Sequence, residues 1–166
     1  MSNPIIKFKI KNFGEITAEL YPEKAPATVE NFLGLIKEGF FEGLIFHRVI
    51  SGFMIQGGGF DVQFNQKKAK AIKGEFIANG FMGNDLRHTR GVLSMARTSD
   101  PNSASSQFFI MHKDAPHLDA QYAGFGKVTE GMDVVDKIAS AKTGSYGWYD
   151  DVPMVPIVIE KAEIVE

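Results

Sequence analysis

Between residues 43 and 126 the chain offers only short β-rich runs, at 44–50, 91–96, 107–111 and 124–128, separated by glycine-rich or polar turns. Ahead of them, 5–10 and 16–20 alternate apolar and polar residues around Asn12 and Gly14. That alternation predicts a hairpin with one buried face. Val29, Phe32, Leu33 and Ile36 then fall at the i, i+3, i+4, i+7 spacing of a helix with one apolar stripe. Pro26 suits its first turn and Gly39 its end. A second helix is expected at 132–140, where Met132, Val135, Ile138 and Ala139 share a face, and 155–165 closes the chain as strand-like sequence. Many short strands with two separated helices argue for a mainly β fold, a closed or nearly closed barrel with helices over its open ends. A sandwich is the rival arrangement, and composition does not separate the two.

The 166 residues show no internal repeat, low-complexity tract or linker, so a single domain over 1–166 is expected. A net charge of −2 gives no electrostatic case for binding nucleic acid. The cluster Lys67, Lys68, Lys70 and Lys73 sits in polar sequence and reads as a solvated loop. With no cysteine, disulfides, thiolate chemistry and cysteine-built zinc sites are excluded. No apolar run approaches the ~20 residues needed to span a bilayer. Met1-Ser2-Asn3-Pro4 lacks the charged and apolar regions of a signal peptide, so a cytoplasmic location is expected.

The phosphate-binding loop and the Gly-x-Ser-x-Gly elbow are both missing. Gly57-Gly58-Gly59 lacks the spacing of a dinucleotide loop and reads as a bend where backbone passes closely. His47, His88, His112 and His117 show no metal-ligand spacing and read as packing or surface residues. Two segments stand out, 46–58 and Ser103-Ala104-Ser105-Ser106-Gln107-Phe108-Phe109-Ile110. Each sets hydrogen-bonding groups beside large apolar residues. Arg48 and Gln56, eight residues apart, share a face if the segment is one strand of period two, and so does Met54. From the residues alone, a structural ion pair for Arg48 and a functional role stand level.

The block 46–58, the block Gly91-Val92-Leu93-Ser94-Met95-Ala96, the run Ser106-Gln107-Phe108-Phe109-Ile110, and Phe125-Gly126-Lys127-Val128 with Glu130-Gly131-Met132 together resemble the cyclophilins, in that family's order and approximate spacing. Gly74-Glu75, His88-Thr89-Arg90-Gly91 and 96–103 are similar to the short bacterial-type members. The resemblance covers nearly the whole chain. It implies a closed eight-stranded antiparallel β-barrel capped by two helices, with peptidyl-prolyl cis–trans isomerase activity at a site on the outer surface.

Carried over residue by residue, the resemblance gives catalytic roles to Arg48, Phe53, Gln56 and Phe109. It gives substrate-binding roles to Met54, Ala96, Arg97, Gln107, His117, Leu118 and Tyr122. No cofactor or metal is implied. The implied partners are proline-containing peptides and unfolded or flexible protein segments, and the expected state is a monomer with no nucleic-acid or membrane partner. Three positions depart from the common eukaryotic pattern. Arg97 stands where asparagine is usual, His117 where tryptophan is usual and Tyr122 where histidine is usual. The second departure implies weak binding of cyclosporin-type inhibitors. A proline-binding module would use the same apolar pocket, but mere binding needs neither Arg48 nor Gln56, which favours an enzyme.

Overall fold

A computed structural model describes residues 3–165; Met1, Ser2 and Glu166, which fall within the expected domain range, lie outside the described residues. Strands β1 (Ile5–Ile10) and β2 (Gly14–Leu20) form the expected hairpin. Ile6, Phe8, Ile10, Ile16, Ala18 and Leu20 point inward, while Lys7 and Lys9 face out. Six further strands complete the main sheet: β3 (Arg48–Ile50), β4 (Met54–Gly57), β5 (Val92–Met95), β6 (Phe108–Met111), β7 (Gly124–Glu130) and β10 (Ile159–Ile164). The order is β10-β1-β2-β7-β5-β6-β4-β3, with every neighbouring pair antiparallel.

The expected closure is present, but no regular ladder joins the edge strands β3 and β10. The seam is made by the chain just before each of them. Gly43 N–H donates to Ile159 O at 2.9 Å, Ile159 N–H to Leu44 O at 2.8 Å and Phe46 N–H to Ile157 O at 3.0 Å. Residues 44–47, expected as part of a strand, therefore seal the barrel ahead of β3. Inside it the Phe8 and Phe108 rings stack at 5.2 Å, and Phe32 meets Phe108 edge-on at 5.3 Å.

Helix α1 (Pro26–Lys37) buries Thr28, Val29, Phe32, Leu35 and Ile36, so its inward stripe is turned slightly from the one expected, and Leu33 is only partly covered. Gly39 ends it at φ +71°, with Gly39 N–H on Ile36 O and Phe40 N–H on Leu35 O, a left-handed C-terminal cap. The start of α1 has no local side-chain cap, because Ala25 stands there. Glu75, buried and distant in sequence, supplies one: its carboxylate accepts from Thr28 N–H at 2.7 Å, Thr28 Oγ1–H at 2.7 Å and Ala27 N–H at 3.2 Å. Asn84 donates to Glu75 O and Gly124 O, which ties the long loop carrying Glu75 to β7.

Helix α2 (Met132–Ala139) turns Val134, Val135, Ile138 and Ala139 into the same core, with the expected Met132 packed against it but only partly covered. A separate ribbon, β8 (Thr143–Tyr146) with β9 (Tyr149–Pro153), was not legible as strand. Among the described residues no helix is long and apolar enough to cross a membrane.

The central strands are buried on both sides. Leu93, Met95, Phe108 and Ile110 face the barrel core, while Val92, Phe109, Met111 and Met54 face outward into a second apolar cluster completed by Ala115 and Leu118. That outer cluster is the floor of the site.

Candidate active site

Opposed residues of an antiparallel pair point to the same face of a sheet. Arg48 opposes Gln56 across β3 and β4, Gln56 opposes Phe109 across β4 and β6, and Phe109 opposes Ser94 across β6 and β5. These four residues therefore form one row across four strands on the outer face. The single strand expected over 46–58 is instead a hairpin, because Gly52 turns the chain at φ +80° and Phe53 N–H closes the turn on Ile50 O at 3.0 Å. Arg48 and Gln56 still share a face, as cross-strand partners rather than by periodicity.

The structure brings Arg48, Phe53, Met54, Gln56 and Phe109 around one cavity of about 110 Å³, walled on its far side by Ala96, Arg97, Leu118 and Tyr122. Gln107 lies beside it, in an adjoining cavity that also touches Gln56, Ala96 and Arg97. His117 lines neither; it is exposed, its ring 5.7 Å from that of Phe53. No carboxylate lines either cavity. Arg48 belongs to no ion pair among the described residues, which removes the structural role left open above.

Instead Arg48 Nη1–H donates to Gln56 Oε1 at 3.3 Å, and Gln56 Nε2–H donates to Gln107 Oε1 at 3.1 Å. A guanidinium only donates, so it orients the Gln56 amide, and Gln56 orients Gln107 in turn. Gln107 is also pressed against Gly59, where a Cβ would sit 2.5 Å from the glutamine Cγ; the glycine run is a close approach of backbone, as expected. Phe53 is held from behind: His112 N–H donates to Phe53 O at 2.9 Å, and Gly52 N–H donates to His112 Nδ1 at 2.8 Å.

Two further groups have partners that were not legible in the sequence. His88 is buried beneath Phe109, its ring centroid 6.1 Å from the phenyl, with Nε2 at 2.8 Å from Ser94 Oγ and Nδ1 at 3.3 Å from Asp119 Oδ1. Burial lowers its pKa, and Asp119 opposes that shift without reversing it. His47, next to Arg48 but facing inward, lies against Phe60 at 4.6 Å. Burial first, and the neighbouring Arg48 charge second, lower its pKa to about 4. Both are packing histidines, as expected, but no motif marked their partners, Phe60 for His47 and Ser94 and Asp119 for His88.

An outer-face cavity floored by one phenylalanine, with an unpaired arginine and a glutamine on its rim, sits on an eight-stranded curled sheet with two helices. The sequence profile described as "Cyclophilin type peptidyl-prolyl cis-trans isomerase/CLD" matches residues 5–164. The chain belongs to the cyclophilin-type peptidyl-prolyl cis–trans isomerase family, and its activity is the cis–trans isomerisation of X–Pro peptide bonds. It is 48% identical to a peptidyl-prolyl cis-trans isomerase of Acinetobacter baylyi, over 99% of this chain and 87% of that one. It is 46% identical to peptidyl-prolyl cis-trans isomerase B of Escherichia coli, over 93% of this chain and 96% of that one. Among solved structures, a cyclophilin-type isomerase of Cryptosporidium parvum, crystallised in the presence of the dipeptide Ala-Pro, superposes with TM-score 0.80 at 28% identity, covering 98% of this chain and 99% of that one.

Proposed function

We propose that the chain acts as one isomerase domain over 1–166, that the cavity takes the proline ring of a peptide or flexible protein segment, and that Arg48 stabilises the twisted transition state. Rotation about an X–Pro amide meets a barrier of about 18–20 kcal/mol because it breaks C–N conjugation. A hundred-thousandfold acceleration needs roughly 7 kcal/mol of transition-state stabilisation and no covalent step. As the amide twists, the proline nitrogen becomes pyramidal and gains a lone pair that the planar ground state lacks. A donor aimed at that nitrogen binds the transition state selectively.

The observation that carries this reading is the row of Arg48, Gln56 and Phe109 around one small cavity, with no carboxylate neutralising the arginine. One guanidinium nitrogen is held by Gln56, which leaves the rest of the fork for substrate. The second Nε2 hydrogen of Gln56 serves the moving carbonyl, with Gln107 fixing the amide. Phe53, Met54, Phe109 and Leu118 grip the ring. An apolar cavity of about 150 Å³ takes a benzene ring, so about 110 Å³ suits a five-membered one.

A proline-isomerisation assay on a short peptide tests the assignment. Arg48→Ala should lower kcat by ~10²-fold or more, the scale of a lost preorganised donor, with KM little changed. Phe109→Ala should weaken peptide binding as well, by about 2–4 kcal/mol. Equal losses of binding and turnover in the Arg48 variant would reduce that residue to a substrate anchor.

A further inference from the structure

The side chain of Arg97 does not reach for a peptide. Its Nη1–H donates to Thr98 O at 2.9 Å and its Nη2–H to Gln121 O at 2.8 Å. The guanidinium carbon lies 4.8 Å from the centroid of Phe76 and 4.6 Å from that of Tyr122. Its Nε–H is buried without an acceptor among the described residues, so two carbonyl hydrogen bonds and two ring contacts together hold this group.

The two rings differ in how firmly they are held. Phe76 is buried in the barrel core, whereas Tyr122 is partly exposed at the rim of the outer cluster. Tyr122 in turn meets Phe109 edge-on, with centroids 5.8 Å apart and planes at 84°. A fixed ring, a planar cation and a rim ring thus form one stack that ends on the floor of the cavity. Arg97 also stands between the two neighbouring cavities, lining both. Two of the three departures from the common family pattern, Arg97 and Tyr122, are therefore in direct contact.

We propose that Arg97 is a positioning residue that clamps Tyr122 as the wall of the proline cavity and keeps that cavity separate from its neighbour. An asparagine at this position is too short to reach between the rings. A lysine carries the charge but lacks the planar fork that bonds two carbonyls while lying over both rings. Tyr122 then presents a rigid wall to the peptide, and binding does not have to order it.

The proposal rests on the cavity being the proline site, and its test shares the peptide assay. Arg97→Met keeps an apolar stem between the rings and should raise KM about tenfold, the scale of one desolvated cation–π contact, with kcat within about twofold. Arg97→Lys should recover less than half of that loss. In a Tyr122→Ala background, Arg97→Met should add nothing further, because the residue acts through the ring. The NMR signals of the Tyr122 ring should shift toward those of a free tyrosine in Arg97→Met, while those of Phe76 hold. Additive losses in the double variant, full rescue by lysine, or kcat falling in step with KM would each overturn the clamp. Arg48→Ala in the same assay lowers kcat and spares KM, so failure of the mechanism and failure of the clamp give different patterns.

Discussion

At the scale of single residues, His117 is a position whose expected role in recognition can be tested by size alone. It lies exposed against Phe53, outside the cavity wall, where the common family pattern has an indole. A large cyclic inhibitor that needs that indole finds a smaller and partly polar ring. His117→Trp should tighten cyclosporin-type binding about tenfold or more, with turnover of a short peptide unchanged within about twofold. Titrating wild type and variant with inhibitor decides it, and equal affinities would remove His117 from the recognition surface. The residues around the cavity were legible because ordered motifs carried them. Glu75, Asn84, Ser94 and His88 were not, since each acts through a partner distant in the chain or on another strand. Arg97 was legible as a position but not as a stack, because Phe76 and Tyr122 approach it from separate loops.

Among the elements, α1 depends on a cap that its own sequence does not supply. Removing the Glu75 carboxylate strands Thr28 N–H and Thr28 Oγ1–H where little solvent reaches them, and leaves Ala27 N–H, on the exposed side, to water. Glu75→Ala should cost about 2–3 kcal/mol in urea unfolding, the scale of hydrogen bonds to a charged acceptor lost from a buried site. Glu75→Gln should recover only part of this, since an amide facing both sites sets its NH₂ against one of the backbone donors. A cost below about 0.5 kcal/mol for the alanine variant would mean that the helix start is satisfied in another way. The first hairpin and both helices were legible because each buries one face with a local period. The β8–β9 ribbon gave no such signal: Tyr146 and Tyr149 pack against Phe64 at 4.6 and 5.1 Å, but most of the ribbon stays exposed and no alternation marks it. The turn inside 46–58 was hidden because a glycine between two apolar runs looks the same in a bulged strand as in a hairpin.

For the molecule as a whole, His47 and His88 link stability to pH. The folded His47 stays neutral down to about 4, whereas an unfolded histidine takes its proton near 6.5. Across that window the unfolded chain binds more protons, so stability is complete above about 6.5 and is lost as pH falls toward 4. His88, also lowered, acts in the same direction. Between pH 7 and pH 5 the urea midpoint should fall by the equivalent of about 2 kcal/mol for His47 alone, and His47→Phe should flatten that slope. A midpoint that does not move, or a slope unchanged in the variant, would show that the buried imidazole is not what the unfolded state exploits. Turnover should stay level from pH 6 to 8 meanwhile, because bond rotation transfers no proton. The seam has a consequence for how the chain reaches this state. Strand β1 waits for β10, and residues 43–46 wait for 157–159, so both edges of the sheet stay open until the last strand arrives. During synthesis, a ribosome still holding residues 155–164 would display an unfinished sheet with two bare edges, so the barrel closes only after β10 has left the exit tunnel.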